Sequence, residues 1–322
     1  MKVEVSVVIP VYNNAGSLEE LTLRLIATLS AICQSYEVIY VNDGSRDTSL
    51  SVLRKLANVH PSIKVLSLSR NYGQHPAICA GFEHSRGEYT VLMDADLQDA
   101  PEGIETLIGK LKSSDADVVY SVRNSADEKL TSLLTSVAYH YVFSKIVNTK
   151  IPLNIGTFRA FNRKFLEAML RFEESNILYG PLMFYMGFTS AYVELPYNER
   201  QHGKSSYTFA KRLKLAVNSL VSYTDIPHKA SIWFGSSLLI ASLLYGFLVV
   251  LQYLAFGSSL PSGSTLILLV LCLTLGSVML SLGIIGSYVF RVYQEVLRRP
   301  RYLVQERINV SLSATGSEAA HV

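Results

Sequence analysis

The chain has 322 residues, 49% hydrophobic and 17% charged, an apolar balance for a water-soluble globular protein. Its formal net charge of +3 is too small to hold a nucleic-acid backbone, so no nucleic-acid partner is expected. The three cysteines, Cys33, Cys79 and Cys272, share no metal-ligand spacing and Cys272 lies in an apolar run, which argues against a disulfide framework and suits a reducing compartment.

The opening stretch MKVEVSVVIPVYNN reads as a strand and a turn; its apolar run is short and alternating, unlike a signal peptide. Over the first 125 residues strand and helix patterns alternate. Val5–Val11, Glu37–Asn42, Lys64–Ser69, Tyr89–Asp94 and Val118–Ser121 are short, β-branched and apolar. Helical stretches are predicted near 17–32, 47–58, 75–85 and 101–113. Ser17 and Glu20 have capping-box spacing, and Pro101 suits a first helical turn. This βαβα order predicts an α/β fold with a mostly parallel sheet.

Ligands on such sheets gather at the carboxyl ends of strands. The first predicted strand ends in Pro10-Val-Tyr12-Asn13-Asn14, the second in Asn42-Asp43-Gly44-Ser45, the fourth in Asp94-Ala-Asp96-Leu-Gln98-Asp99. Polar and acidic groups thus stand where a nucleotide could lie. Neither a dinucleotide fingerprint nor a P-loop is present. In an extended chain alternate residues point the same way, which would aim Asp94, Asp96 and Gln98 at one point. Two carboxylates and an amide oxygen are hard donors for Mg2+ or Mn2+, with substrate phosphates completing the shell. The bland alternative is an exposed acidic turn.

Further on, Ser231–Phe256 and Thr265–Phe290 carry no charge, and each has 26 residues. At about 1.5 Å per residue either would cross a hydrocarbon core of about 30 Å. The link between them, GSSLPSGS, is short and uncharged. Lys211, Arg212, Lys214 and Lys229 precede the pair, and Arg291, Arg298, Arg299 and Arg301 follow it. Both open ends are therefore expected on the cytoplasmic side. Residues 208–222 have an amphipathic helical pattern with Phe209, Leu213, Ala216, Val217 and Leu220, either an interface helix or an ordinary packing helix. The expected organisation is a cytoplasmic catalytic domain at 1–207, a juxtamembrane region at 208–230, two transmembrane helices at 231–256 and 265–290, and a cytoplasmic tail at 291–322. Its last residues, SLSATGSEAAHV, read as a disordered end. Two spans make a poor bundle alone, which points to a homo-oligomer.

The runs SVVIPVYNN, NDGSRDTS, SRNYGQHPAICAGF, MDADLQDAP, RQHGKSSYTF and RPRYLVQ, together spanning Ser6 to Gln305, resemble family 2 glycosyltransferases. The branch resembled is that of polyprenyl-phosphate (undecaprenyl- or dolichyl-phosphate) glycosyltransferases. It includes bactoprenol glucosyltransferases and the undecaprenyl-phosphate formamido-arabinose transferase. The resemblance implies a nucleotide-diphospho-sugar transferase (GT-A-like) fold, a nucleotide-sugar donor, UDP-linked by expectation, and a polyprenyl phosphate acceptor at the inner membrane. It implies that Pro10, Tyr12, Asn14, Asp43 and Asp94 line the nucleotide site and that Asp96 and Gln98 hold Mg2+ or Mn2+. It implies that Arg123 and Ser136 contact the lipid phosphate, and that Arg200, Gly203, Lys204 and Ser205 form a basic loop near diphosphate and acceptor. Asp96, Arg123 and Arg200 are the expected catalytic residues.

Three positions depart from the family pattern. An amide, Asn14, replaces the usual acid. Ser132 and Leu133 stand where basic residues often precede the Ser136 position, with Lys129 one helical turn earlier. Asn154 and Thr157 occupy the segment where relatives often carry an Asp. A phosphate monoester acceptor, already near two negative charges at pH 7, needs no protein base. The expected chemistry is thus a direct, inverting displacement, giving a lipid-linked sugar for cell-envelope glycan modification. A processive polysaccharide synthase is the first rival, but such enzymes usually carry Q-x-x-R-W and more spans, and the only tryptophan is Trp233. The second is an inactive nucleotide-sugar-binding scaffold, which the altered Asn14, Asn154 and Thr157 favour and the intact Asp94–Gln98 run opposes.

Overall fold

The computed structural model describes residues 3–123, 155–174, 177–196 and 263–310, with scattered positions between 233 and 255. The chain falls into two compact units, Met1–Ser206 with Pro300–Val322, and Tyr207–Arg299.

In the first unit the predicted alternation is present. Strands β1 (Val5–Val11), β2 (Tyr36–Asn42), β3 (Ile63–Leu68), β4 (Tyr89–Leu92) and β5 (Val118–Arg123) alternate with helices α1 (Ala15–Ile32), α2 (Ser49–Val59), α3 (Gln74–His84) and α4 (Gly103–Ser113). There follow β6 (Ile155–Asn162), α5 (Arg163–Leu170), α6 (Tyr179–Tyr185), β7 (Ser190–Leu195) and, far along the chain, β8 (Val304–Ile308). One sheet holds all eight strands in the order β7-β5-β6-β4-β1-β2-β3-β8. The block from β3 to β4 is parallel; β6 and β8 run antiparallel to their neighbours, and β7 pairs parallel with β5.

Both faces of the sheet are covered, as continuous apolar strands require. Val5, Val7, Ile9 and Val11 pack with Leu18, Leu21 and Leu25 of α1 and Ile104 and Leu107 of α4. The intervening Val8 joins Ile39, Val41, Leu92 and Tyr120 against α3, α5 and α6. Because β1 lies between β2 and β4, the order reverses there and opens a crevice at the strands' carboxyl ends.

Two local expectations change. Helix α1 starts at Ala15 with Asn14 as N-cap, so Ser17 and Glu20 are not a capping box. Ser17 is buried one turn inside, and its hydroxyl bonds Asn14 O at 3.0 Å and Ala95 O at 2.6 Å. Pro101 sits in the turn before α4, where its carbonyl accepts from Ile104 N at 3.0 Å.

The sequence reading leaves 304–308 without an element. In the structure this segment is β8, which closes the β3 edge, so the tail returns to the sheet of the first unit. Just before it, Arg301 donates to Phe172 O at 2.7 Å and to Cys79 Sγ at 3.2 Å, and the Tyr302 hydroxyl bonds Glu83 of α3. Arg54 and Glu306 add an ion pair at 2.6 Å. Arg301→Ala is expected to lower unfolding stability by about 1–2 kcal/mol, since it strips a carbonyl and a thiol of their donor. Thermal melts against wild type check this.

In the second unit α7 (Gly263–Val296) is one continuous helix of 34 residues containing the predicted span 265–290. Ile267, Val270, Leu271, Leu275, Val278 and Leu282 lie exposed along it at helical spacing. Counting the described side chains alone, no helix is long and apolar enough to cross a membrane. Many side chains of 265–290 fall outside that set. The predicted helix at 208–222 and most of 231–256 also lie outside the described residues.

Candidate active site

Three loops meet at the crevice, and backbone groups stitch them together. After β1, Asn13 takes φ +56°, and its N–H donates to Ser45 Oγ at 3.1 Å. Its side-chain oxygen accepts from Arg46 N at 2.8 Å, and Asn14 N donates to Ser49 Oγ at 3.0 Å. After β2, Asp43 is buried, and its two oxygens accept from Tyr72 N at 2.7 Å and Gly73 N at 2.9 Å. Burial pushes the Asp43 carboxyl above its ordinary range, and those two N–H groups oppose the rise. Asp43 therefore fixes the loop before α3. Tyr12 follows β1 and is exposed, 39% accessible. Pro10, within β1, and Asn14, capping α1, are half-buried.

The acidic loop differs from its expected form. Strand β4 ends at Leu92, not Asp94, and Asp94–Gln98 is a turn in which Leu97 takes φ +60° while 2% exposed. The turn carries both Asp96 and Gln98, and Asp96 Oδ1 accepts from the backbone N–H of Gln98 at 3.2 Å. Strand alternation therefore does not place them. Asp94 Oδ1 accepts from Gln74 Nε2 at 2.9 Å, and Asp96 and Asp99 are both buried at 5% exposure. A bulky residue in a left-handed conformation is strained and is often found at functional sites.

The donor set fits a divalent cation. Asp96 and Gln98 offer hard oxygens on one tight turn. Among the described residues no cluster of three or more His, Cys, Asp or Glu could hold a metal unaided. A cation with one or two protein donors and substrate phosphates in the rest of its shell suits such a place.

Arg123 ends β5 at the same edge of the sheet, and its side chain lies outside the described residues. Ser136, Arg200, Gly203, Lys204 and Ser205 also lie outside them. Pro10, within β1, and Tyr12, Asn14, Asp43, Asp94, Asp96 and Gln98, on the segments after β1, β2 and β4, thus stand toward the carboxyl ends of neighbouring parallel strands.

The pattern of Glycosyl transferase family 2 matches residues 6–170. The chain belongs to that family. YkcC of Bacillus subtilis (strain 168), called an uncharacterized glycosyltransferase, is 34% identical over 309 residues, 96% of this chain and 95% of its own. The undecaprenyl-phosphate 4-deoxy-4-formamido-L-arabinose transferase of Klebsiella pneumoniae (MGH 78578) is 33% identical over 327 residues, 98% of this chain and 97% of its own. Among solved structures, a Mycobacterium tuberculosis glucosyl-3-phosphoglycerate synthase complex is 18% identical with a TM-score of 0.49, covering 69% of this chain and 78% of its own.

In this family 2 chain the structure adds residues that the sequence reading did not assign. Gln74 and His75, from the run NYGQH, open α3 beneath Asp94. Arg159 sits inside β6, 7% exposed. A charge on the inner face of an otherwise apolar strand, as in TFRAF, was the available signal. His75 Nδ1 is buried and has no hydrogen-bond partner among the described residues. Burial, followed by the charge of Arg159, pushes the His75 pKa from 6.5 down to about 4. Between those values the unfolded chain binds a proton that the folded one refuses. Stability is therefore full above about pH 6.5 and falls toward pH 4, by up to about 1.4 kcal/mol per pH unit. Chemical denaturation of His75→Gln across that window should show a flatter slope than wild type.

Proposed function

We propose that this family 2 enzyme moves one sugar from a nucleotide diphosphate sugar, UDP-linked by expectation, to a polyprenyl phosphate at the cytoplasmic face of the membrane. The observation that carries the reading is the Asp94–Gln98 turn beside the Asp43 loop at the reversal of strand order. Relatives named as undecaprenyl-phosphate transferases, similar across nearly the whole chain, support the acceptor. Within the site, Tyr12 would stack on the base, and Asn14, Asp43 and Asp94 would orient the nucleotide. A divalent cation on Asp96 and Gln98 would neutralise charge developing on the departing diphosphate. Arg123, Arg200 and Lys204 would hold the acceptor phosphate in line against anionic repulsion, with Ser136 and Ser205 donating hydrogen bonds. The acceptor oxygen is its own nucleophile, so one direct displacement inverts the anomeric carbon.

The connectivity is compatible with a membrane hairpin, which the hydropathy of 231–256 and 265–290 suggests. The chain leaves the first unit near Ser206 and rejoins it at Pro300. Any crossing between must return to the same side, as a hairpin of 231–256 and 265–290 does. The exposed apolar stripe of α7 suits lipid, and two spans per chain favour a homo-oligomer.

The test is transfer by purified protein from a nucleotide-sugar panel to undecaprenyl phosphate, with and without Mg2+ or Mn2+. One sugar per lipid is expected. Polymer would point to a processive synthase. Binding without turnover for any donor would point to a scaffold.

A further inference from the structure

Arg159 has no task in the reading above, yet its burial is costly. The guanidinium donates to Thr157 O at 2.9 Å, Gly156 O at 2.9 Å and Met183 Sδ at 3.2 Å, all neutral acceptors. It lies over the Tyr120 ring, 5.3 Å from the centroid. None of the ion pairs among the described residues includes it. A buried cation without a contact partner costs several kcal/mol unless charge further off compensates.

The sheet shows where that charge is. Arg159 is the register partner of Leu92 on one side and of Tyr120 on the other. Leu92 is two residues before Asp94. The guanidinium is therefore set beside the root of the acidic turn, on the face that carries Gln74 and His75. The carboxylates whose charge bears on it are Asp94 and Asp99. Its two backbone acceptors belong to its own strand, so it cannot swing toward solvent without breaking them.

We propose that Arg159 is a positioning residue: a fixed buried cation that balances the Asp94–Asp99 turn before ligand arrives and favours the diphosphate once it does. This rests on the metal-and-diphosphate reading of the same site. A fixed positive charge here repels a divalent cation and attracts a phosphate. Removing it shifts the two affinities in opposite directions, which loss of structure cannot do.

The experiment uses the full-length protein in detergent, with Mn2+ binding measured alone and UDP and GDP binding measured without metal. Arg159→Met is expected to bind Mn2+ more tightly and nucleoside diphosphate more weakly, each by several-fold to about tenfold. Arg159→Lys, which keeps a charge but not the fork of donors or the stacking on Tyr120, should shift both in the same sense as Arg159→Met but by less. Arg159→Gln, which also removes the charge but keeps an amide donor for the Gly156 and Thr157 carbonyls, should shift both in the same sense and decides the matter if Arg159→Met does not fold. Affinities that weaken together, or do not move, in folded protein overturn the proposal. Wild-type protein that binds neither Mn2+ nor a nucleoside diphosphate would overturn the reading beneath it as well.

Discussion

Asp96→Ala is expected to reduce sugar transfer by roughly a thousandfold or more, with the fold retained. The size follows from what the carboxylate does. In the proposed function a diphosphate leaving group gathers charge as the bond to the anomeric carbon breaks, and a cation held by Asp96 and Gln98 would supply countercharge. Losing the one anionic donor loses the cation and its orientation together. Retention of the fold follows from position. Asp96 stands in a turn beyond the end of β4, and its Oδ1 accepts from Gln98 N within the same turn. Removing a hydrogen-bonded carboxylate from such a turn costs roughly 1–3 kcal/mol, less than a domain's stability of about 5–15 kcal/mol. Asp96→Asn separates charge from geometry, because the amide oxygen still accepts from Gln98 N. Loss should be nearly as deep for Asn as for Ala, since the anion is what matters. Transfer of radiolabelled sugar, Mn2+ binding and circular dichroism on the same preparations check all three points. Near-normal transfer by purified Asp96→Ala would falsify the assignment.

The elements most legible in the sequence were those with one dominant local signal. Val5–Val11 was fully legible because a β-branched run ends in a polar turn, and α1 to α4 were found within two residues at each end. The acidic turn was found for its composition and misread in its geometry. Nothing local in DADLQ says that Leu97 adopts positive φ, because a leucine enters that region only when its surroundings enforce it. Strand β8 was hidden for a different reason. VQERI alternates polar and apolar residues weakly, and its pairing with β3 spans more than two hundred residues. Such a contact is tertiary, and no window along the chain contains it. Arg159 lay between these cases: a lone cation in an apolar strand was visible, but its neighbours Leu92 and Tyr120 were set by register.

Gly44→Ala is expected to cost roughly 3 kcal/mol or more and to remove nucleotide binding with it. Gly44 takes φ +61°, where an alanine costs about 1–2 kcal/mol before any contact is considered. A Cβ there would also stand 2.5 Å from Arg70 C and 2.5 Å from Asn71 N. Those are backbone atoms, so relief requires moving a loop. That loop is not free to move: Asn71 Nδ2 donates to Asp43 O at 3.2 Å, and Tyr72 N and Gly73 N hold the Asp43 carboxylate. Pushing it outward breaks the bonds that join the β2 end to the start of α3, and with them the placement of Gln74 against Asp94. Gly109→Ala provides the contrast. Gly109 lies inside α4, and a Cβ there meets nothing within 4 Å. That substitution should stabilise the protein by about 0.5–1 kcal/mol, the usual gain of alanine over glycine in a helix. Opposite signs for one added methyl group, read by urea denaturation and nucleoside diphosphate titration, would separate the demand of the site from the general cost of crowding a glycine. Equal and small effects at both positions would mean that the Asp43–Gly44 turn tolerates displacement, and that the nucleotide position depends on it less than the hydrogen bonds imply.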